Sequence, residues 1–283
     1  MDAFRRVRDL LILDDCWVIA ADSVGGIGPK PADTVRADAR TVAHFALRVP
    51  LLEVICSGAR PVAVIDNLCV ELDPTGREML DEIRLLAAQA GIVSEAITGS
   101  TEENVRTQAT GVGVTVMGRI GPGGLLPGHS HPGDVILCAG LPLSAPHDDV
   151  RIGHPSQVPV AAVSAVVAAG LVHDALPVGS KGLTWEVAQL AESAGLRAVW
   201  VEHAAFSLTA SGGPASCVLL SCAPESVEVV LGAIGGGTPI HVVARVVHSY
   251  SRSEEPHGPA SGTTALSEAR EVSPPRGGPV PPV

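Results

Sequence analysis

Residues 20–33 read AADSVGGIGPKPAD, and this stretch decides how the rest of the sequence is interpreted. An apolar run over residues 16–21 stops at Asp22 and gives way to three glycines and Lys30. Glycines let backbone N–H groups approach an anion closely, and a lysine adds a point charge. A carboxylate does not favour phosphate by itself, but Mg²⁺ takes oxygen ligands from both. The stretch therefore predicts a site for a magnesium–nucleotide pair, and a mobile surface loop is the alternative.

The loop does not carry either of the common nucleotide-binding fingerprints. The chain has no Gly-x-x-x-x-Gly-Lys-Ser/Thr sequence, and no Gly-x-Gly-x-x-Gly follows the first strand. Any nucleotide would therefore be bound without a Walker A loop.

The composition predicts a folded α/β or α+β protein with a tail of different character. Aromatic residues make up 2% of the 283 residues, so the core must be built from Val, Leu, Ile and Ala. Residues 251–283 are rich in Ser, Glu, Pro, Gly and Arg, and we expect them to be disordered because they cannot bury enough apolar surface. The remaining length suffices for two modest domains.

Charge and residue usage exclude several classes of protein. The net charge is −11 and no run of Lys and Arg occurs, which argues against nucleic-acid binding. The six cysteines form no Cys-x-x-Cys pair, which favours buried free thiols in a reducing cytosol. No signal peptide or membrane-spanning run is visible, so we expect a soluble, cytoplasmic protein. Four histidines lie in linkers without a metal-type spacing and are interpreted as ordinary loop residues: His129, His131, His147 and His154.

Hydrophobic periodicity predicts two halves that each mix helices and strands. We expect a domain over residues 1–128, a second over 129–250 and the tail over 251–283, with a linker at 121–133. Predicted strands cover residues 17–21, 62–72, 92–98, 112–120, 134–142, 197–201, 216–221 and 239–248. Predicted helices cover residues 36–48, 75–90, 157–169, 182–194 and 224–234, and Pro50 should break or restart the first helix.

Further acids occur where a cation could be held. Asp14 and Asp15 precede the first strand, and Asp66 interrupts an apolar strand. Glu53 lies in an otherwise apolar helix, where an unpaired buried carboxylate would be costly. Glu53 therefore either lies on the helix surface or is directed at a cation.

Two polar loops are also candidates. Residues 98–108, TGSTEENVRTQ, combine small hydroxyl residues and Gly99 with acids, and a helix N-cap is the alternative interpretation. Residues 179–182, GSKG, precede a predicted helix and can bind an anion at its N-terminus. The simpler interpretation there is Ser180 as an N-cap and Lys181 as a surface charge.

In this order along the chain, the motifs resemble the PurM-like superfamily of aminoimidazole ribonucleotide synthetase, selenophosphate synthetase and thiamine-monophosphate kinase. The resemblance runs from residue 10 to residue 250 and rests on DSVGGIGPK, on Glu53 followed by GARP, on TGST and on SKGL. Within the superfamily, the sequence most resembles the α-ribazole kinases of cobamide salvage, through DSVGGIGPK, PVAVIDNLCVE, TGSTEEN and LPVGSKGLTWE.

The resemblance implies an α+β N-terminal domain, whose strands join those of a second subunit in a barrel-like homodimer, and a layered α/β C-terminal domain. It also implies ATP and Mg²⁺ in a cleft near the dimer interface. The implied metal ligands are Asp14, Asp15, Asp22, Glu53 and Glu102. The implied nucleotide-binding residues are Gly25, Gly26, Gly28, Asp66, Gly99, Ser100, Thr101 and Ser180. For catalysis we expect Asp22 to act beside the metal and the cations Lys30 and Lys181 to lie near phosphate oxygens. A nearby acid, Asp174, is the expected base for the substrate hydroxyl, and this choice does not follow from the resemblance.

Two departures from the superfamily pattern bear on function. Ser100 replaces the metal-binding acid of the Gly-Gly-Asp-Thr loop, so Glu102 or Glu103 would have to replace it. Lys181 replaces an acid of the thiamine-monophosphate kinases, which argues against their chemistry. The expected activity is ATP-dependent phosphorylation of the 5′-hydroxyl of α-ribazole. The alternatives are a ring-closing or selenide-activating relative, the latter discounted because Cys16 begins an apolar strand, and a non-catalytic nucleotide-binding regulator.

Overall fold

The computed structural model describes residues 4–201 and 206–249, so the predicted disordered tail at 251–283 lies outside the described residues. The strands are β1 (Phe4–Val7), β2 (Leu10–Leu13), β3 (Trp17–Gly25), β4 (Ile27–Gly28), β5 (Val35–Arg36), β6 (Arg60–Leu68), β7 (Ile97–Thr101), β8 (Gly111–Arg119), β9 (Val135–Ala139), β10 (Asp174–Pro177), β11 (Leu196–Trp200), β12 (Val218–Cys222) and β13 (Ile240–His248). The helices are α1 (Ala39–Cys56), α2 (Arg77–Gln89), α3 (Val160–Ala168), α4 (Gly182–Glu192) and α5 (Val227–Ile234).

The strands form two main sheets that divide the chain in the expected way. The first has six strands in the order β1-β2-β3-β8-β6-β7, and only its β6–β7 pair is parallel. The second has five antiparallel strands in the order β10-β12-β9-β13-β11. The mixed α+β, two-unit architecture is confirmed, whereas the exact boundaries at 128 and 250 stay predictions.

Helix α1 lies between the two sheets. It packs on β3, β6 and β8 of the first sheet and contacts α3 and β10 of the second unit. The side chain of Asp38 caps its N-terminus by accepting a hydrogen bond from the backbone N–H of Thr41 (2.8 Å). Because α1 contacts both units, it fixes their relative position.

The prediction that Pro50 interrupts this helix was wrong. Helix α1 runs unbroken from Ala39 to Cys56 with Pro50 inside it. Proline removes one hydrogen bond and costs about 3 kcal/mol in a helix interior. The neighbouring Leu47, Leu51 and Leu52 are fully buried, and each such side chain contributes about 1.5–3 kcal/mol. Their burial outweighs the lost bond.

Sequence periodicity missed several short elements. The hairpin of β1 and β2 and strand β10 were not predicted, and β6 ends at Leu68 rather than at residue 72. A kinked turn at Leu72–Gly76, in which Asp73 has non-helical φ and ψ angles of −114° and 126°, follows β6, so the predicted strand was too long. Strands this short offer too few residues for an alternation pattern to be recognised.

The two faces of the six-stranded sheet differ. Its even-numbered residues, such as Val18, Val64 and Val116, are buried beneath α1 and α2. The opposite face presents half-buried Trp17, Ile19 and other apolar or small side chains, and no helix of the described chain covers it.

The five-stranded sheet is covered on both sides, so its central strand β9 is buried throughout. Ile136 and Cys138 face a core shared with α4, and Leu137 faces the core shared with α3 and α5. Among the described residues, no helix is both long and apolar enough to cross a membrane.

Candidate active site

A cleft between the two units begins where the glycine-rich loop follows β3. A cavity of about 550 Å³ lies there, within the range usual for small-molecule sites. Its N-terminal wall includes Asp22, Gly25 and Arg36, and its C-terminal wall includes residues 144–146, residues 148–150 and Gly213. A smaller cavity of about 70 Å³ also contacts Gly213 and continues the cleft toward Glu53.

Carboxylates gather along this cleft, and three of them, Asp22, Glu53 and Glu186, have raised pKa values. Burial raises the pKa of Glu53 to about 8, and the nearby charges of Asp9, Asp22 and Glu186 raise it further. Burial likewise raises the pKa of Glu186 to about 7 and that of Asp22 above its usual value. In residues 4–201 and 206–249, the side chains of Asp22, Glu53 and Glu186 form no ion pair.

This donor set fits Mg²⁺, which prefers oxygen ligands. Carboxylates whose pKa is raised by burial and by like charge are stabilised when a cation lies between them. Asp22 lies within β3, three residues before the strand ends at Gly25, and Glu53 lies on α1, so the packing of α1 on β3 brings them to one cleft. The two sequence-predicted acids are thus on the surfaces that would hold a metal.

Asp66 lies near these acids but opens into a different cavity. Asp22 and Asp66 both pair with Val114, from opposite sides, so their side chains share one face about 10 Å apart. Asp66 is 1% exposed, its Oδ2 has no hydrogen-bond partner, and burial raises its pKa to about 6. It lines a 240 Å³ cavity with residues 97–101.

Gly99 belongs to the same cavity and must be a glycine. A Cβ on Gly99 would lie 2.0 Å from the carbonyl oxygen of Asp66 and 2.4 Å from its Oδ1. Ser100 and Thr101 extend the lining beside it. The orphaned oxygen of Asp66 and this close backbone together form a second place where a cation or a hydrogen-bond donor fits.

Asp14 and Asp15 cannot share a metal with Asp22 in one chain, which corrects the first expectation. They form the β2–β3 turn, where both adopt positive φ values of 48° and 50°. Asp15 pairs there with Arg5 (3.0 Å). Residues 17–21 of β3 lie between Asp15 and Asp22, and five extended residues span about 17 Å.

The glycine-rich loop is held in place rather than mobile. The backbone N–H of Gly26 donates to the carbonyl of Thr110 (2.9 Å), and a Cβ on Gly28 would lie 2.3 Å from Thr110 Oγ1. Asp33 accepts bonds from the backbone N–H of Lys30 and from Thr110 (each 2.7 Å). These contacts favour an ordered loop over the mobile-loop alternative.

Lys30 is engaged within its own unit. Its Nζ donates to Glu71 Oε2. Burial acts to raise the pKa of Glu71, but hydrogen bonds from Lys30 and Thr75 lower it to about 2. A phosphate contact by Lys30 would require this pair to open.

Asp174 is fully buried and serves as the partner of an arginine. Its Oδ1 accepts from Arg8 Nη1 (3.0 Å) and from the backbone of Ala175 (2.8 Å). Its Oδ2 accepts from Arg8 Nη2 and from the backbone N–H of Gly128 (2.9 Å). No oxygen is left to accept a substrate proton, so the assignment of Asp174 as the base is withdrawn.

The remaining predicted residues are spread over two loops. Lys181 Nζ lies 4.0 Å above the ring of Trp185, and Ser180 does not cap α4. Gly179 lines the smaller cavity of the cleft beside Glu186. Glu102 Oε1 accepts from the backbone N–H groups of Asn104 and Val105, so that oxygen stabilises its own loop.

Sequence reasoning missed Glu186 and Arg36 as cleft residues. Glu186 is an acid flanked by the apolar residues Trp185 and Val187 of α4, a signal similar to the one that singled out Glu53. Arg36 lines the larger cavity, and its Nη1 donates to the carbonyls of Pro29 and Lys30. It therefore ties the glycine-rich loop to the cleft wall.

Comparisons with known proteins agree with this architecture. Residues 12–120 match the family model described as AIR synthase related protein, N-terminal domain. Thiamine-monophosphate kinase from Stenotrophomonas maltophilia is 17% identical, with a TM-score of 0.62 over 88% of this chain and 90% of that one. None of the curated proteins searched matches the sequence.

Two structures crystallised with nucleotides are also similar. T. maritima PurL complexed with AMPPCP is 18% identical, with a TM-score of 0.59 over 86% of this chain and 42% of that one. Hydrogenase maturation protein HypE in complex with ATP is 16% identical, with a TM-score of 0.59 over 82% and 77%. Residues 12–120 therefore match an AIR synthase-related N-terminal domain, and the chain shares its fold with these PurM-like proteins.

Proposed function

We propose that this protein binds ATP and Mg²⁺ in the cleft between its two units and phosphorylates a small nucleoside-like alcohol. The observation that carries the proposal is the meeting of Asp22 and Glu53 at one cleft, where neither carboxylate forms an ion pair with any described residue. The shared fold with proteins crystallised with ATP or AMPPCP adds support.

The residues of the cleft have distinct roles in this proposal. Bound Mg²⁺ would neutralise the charge that develops on phosphate oxygens. Asp22 and Glu53 hold the metal, and Arg36 offers a guanidinium for a phosphate group. The walls contributed by both units shield the bound groups from water and position them for transfer.

α-Ribazole is the acceptor that we propose, through its 5′-hydroxyl. This choice rests on the resemblance of the four motifs and not on the cleft geometry. If the protein is an enzyme but not this kinase, the alternative is another ATP-using reaction of the superfamily. Ring closure in an aminoimidazole ribonucleotide synthetase is an example.

A non-catalytic nucleotide-binding regulator is a second candidate, favoured by specific contacts. Lys30 is paired with Glu71, and Asp174 is enclosed by Arg8. Two of the four residues assigned to catalysis are thus committed to structural ion pairs.

We also propose that the chain functions as a homodimer. The uncovered face of the six-stranded sheet, here called the open face, presents Trp17, Ile19, Ile65, Thr115 and Met117. A second copy placed against it would bury these side chains in a continuous core.

The test is an ADP-release assay with purified protein, Mg-ATP and one acceptor at a time: α-ribazole, an aminoimidazole precursor or selenide. We expect turnover with α-ribazole alone, and Asp22→Asn should lower kcat by about 100-fold because a metal ligand is lost. Asp81→Asn, on the exposed surface of α2, is the matched control and should retain full activity.

The other results separate the alternatives. ADP release with a different acceptor would overturn α-ribazole as the substrate, but it would still support ATP and Mg²⁺ binding in the cleft. Thermal stabilisation by Mg-ATP without turnover would favour the regulator. Absence of both turnover and stabilisation would contradict every version of the proposal.

A further inference from the structure

We propose that His131, Asp134 and His173 form a site for one zinc-class divalent ion, separate from the ATP cleft. His131 belongs to the linker between the units, Asp134 immediately precedes β9, and His173 immediately precedes β10. They are the one group of three potential metal-ligating side chains that converge among the described residues. The two histidines are 42 positions apart in sequence, which is why linear spacing did not reveal the site.

The distances match the edges of a metal coordination polyhedron. The Nδ1 atoms of His131 and His173 are 3.1 Å apart. His173 Nδ1 is 3.1 Å from Asp134 Oδ1 and 2.9 Å from Oδ2. Zinc bonds of about 2.0–2.1 Å in a tetrahedron place neighbouring ligand atoms about 3.3 Å apart. The two edges that involve His173 are therefore within a few tenths of an ångström of this value, and all three ligand atoms lie within 4.8 Å of one another.

Hydrogen bonding alone does not satisfy these atoms. A carboxylate has no proton to give, so His173 Nδ1–H must donate to Asp134. The same proton cannot also fully satisfy His131 Nδ1, which lies 3.1 Å from His173 Nδ1. If His131 Nδ1 were protonated as well, two N–H groups would point at each other. A cation that accepts all three lone pairs removes this conflict.

The carboxylate is already oriented for coordination. Asp134 is 3% exposed, and its Oδ2 accepts from the backbone N–H of His131 (2.8 Å) and from Ser221 Oγ (3.1 Å). Ser221 Oγ is in turn bonded to Ser130 Oγ (3.0 Å). Such outer hydrogen bonds fix ligating carboxylates in metal sites, and here they hold Asp134 with both of its oxygens within 3.1 Å of His173 Nδ1.

The donor set selects the kind of ion. Two imidazole nitrogens and one carboxylate suit zinc and related transition metals, whereas Mg²⁺ prefers oxygen ligands. His131 is exposed and His173 is half-buried, so the ion can enter from solvent and a water can take the fourth position. The bound ion would fasten the linker to the ends of β9 and β10.

The test uses the full chain, stripped with a chelator and titrated with Co²⁺ as a visible-absorption probe and then with Zn²⁺. We expect saturation at one ion per chain, with tetrahedral Co²⁺ absorption bands that Zn²⁺ displaces and that Mg²⁺ does not. His131→Ala should weaken binding by at least about 10- to 100-fold, and it removes an exposed side chain, so folding should be retained. His129→Ala, on the same linker and bonded only to the carbonyl of Leu126, is the matched control.

Stability provides a readout that does not depend on enzyme activity. Zn²⁺ should raise the Tm of the native chain and of His129→Ala, but not that of His131→Ala or Asp134→Asn. Failure to bind Co²⁺ saturably, or equal binding by His131→Ala and the native chain, would overturn the site. Neither result bears on the ATP cleft, because Asp22 and Glu53 are unchanged in every variant.

Discussion

At the scale of single residues, Glu53 links the electrostatics of the cleft to a measurable pH dependence. Its pKa is raised to about 8 in the folded protein by burial and by neighbouring carboxylates. The folded state therefore binds a proton that the unfolded chain loses near pH 4.5, so metal-free stability should fall between about pH 4.5 and 8. Glu53→Gln removes this ionisation, and its stability curve should be flatter by about 1.4 kcal/mol for each pKa unit of the shift.

Thermal unfolding from pH 5 to pH 9, with and without Mg²⁺, measures this effect. Mg²⁺ at pH 8 should restore stability to the native chain more than to Glu53→Gln, because the ion replaces the missing counter-charge. Glu95→Gln, at an exposed position, serves as the control and should follow the native curve. Identical pH profiles for the native chain and Glu53→Gln would contradict the electrostatic description of the cleft.

At the scale of secondary-structure elements, α1 holds the two units together through Arg48. This side chain is 3% exposed, and its guanidinium donates to the carbonyls of Val158 (2.6 Å) and Ala215 (3.1 Å). Burial lowers its pKa to about 10, so it remains charged at neutral pH. Arg48→Met should reduce the free energy of unfolding by about 2–4 kcal/mol, because two buried carbonyls lose charged donors.

Urea denaturation measures that loss, and Arg40→Met on the exposed part of the same helix is the matched control. Because α1 also carries Glu53, the Arg48 variant should weaken Mg-ATP binding as well. A loss of stability no larger than that of Arg40→Met would show that α1 does not clamp the two units.

At the scale of the whole molecule, the open face of the six-stranded sheet determines the proposed assembly. Ile19 lies on β3 in the middle of that face. A glutamate there would place a charge in the proposed interface. Ile19→Glu should therefore lower the measured molecular mass from that of two chains to that of one chain. Leu85→Glu, on the exposed side of α2, should leave the mass unchanged. Sedimentation equilibrium gives the masses, and a native protein that is monomeric at high concentration would refute the homodimer.

The sequence indicated several features of the site because they have local causes. The end of an apolar run at Asp22, the three following glycines and a lone acid in an apolar helix can each be read without the fold. Glu53 is the clearest case, since a carboxylate within an apolar helix predicts an unusual environment wherever that helix packs. The same local signal was present at Glu186 and was overlooked.

Other assignments failed because they depended on contacts between distant residues. Lys30 and Asp174 have the right chemistry for catalysis, but Glu71 and Arg8 neutralise them through contacts that no local pattern contains. Asp14 and Asp15 precede the same strand as Asp22, yet an extended strand separates them from it. The sequence around a charged residue therefore does not show whether its side chain is already in an ion pair or is free to bind a ligand.

The sequence alone determined the layered α+β architecture of this protein and most of its helices and strands, because hydrophobic periodicity and glycine placement are local properties. Only the tertiary structure decided that Pro50 lies inside a continuous helix, that Asp22 and Glu53 share a cleft while Asp66 lines another cavity, and that His131 meets His173. Those outcomes depend on side-chain packing and charge pairing between segments far apart in the chain, and such energies have no signature in any short stretch of residues.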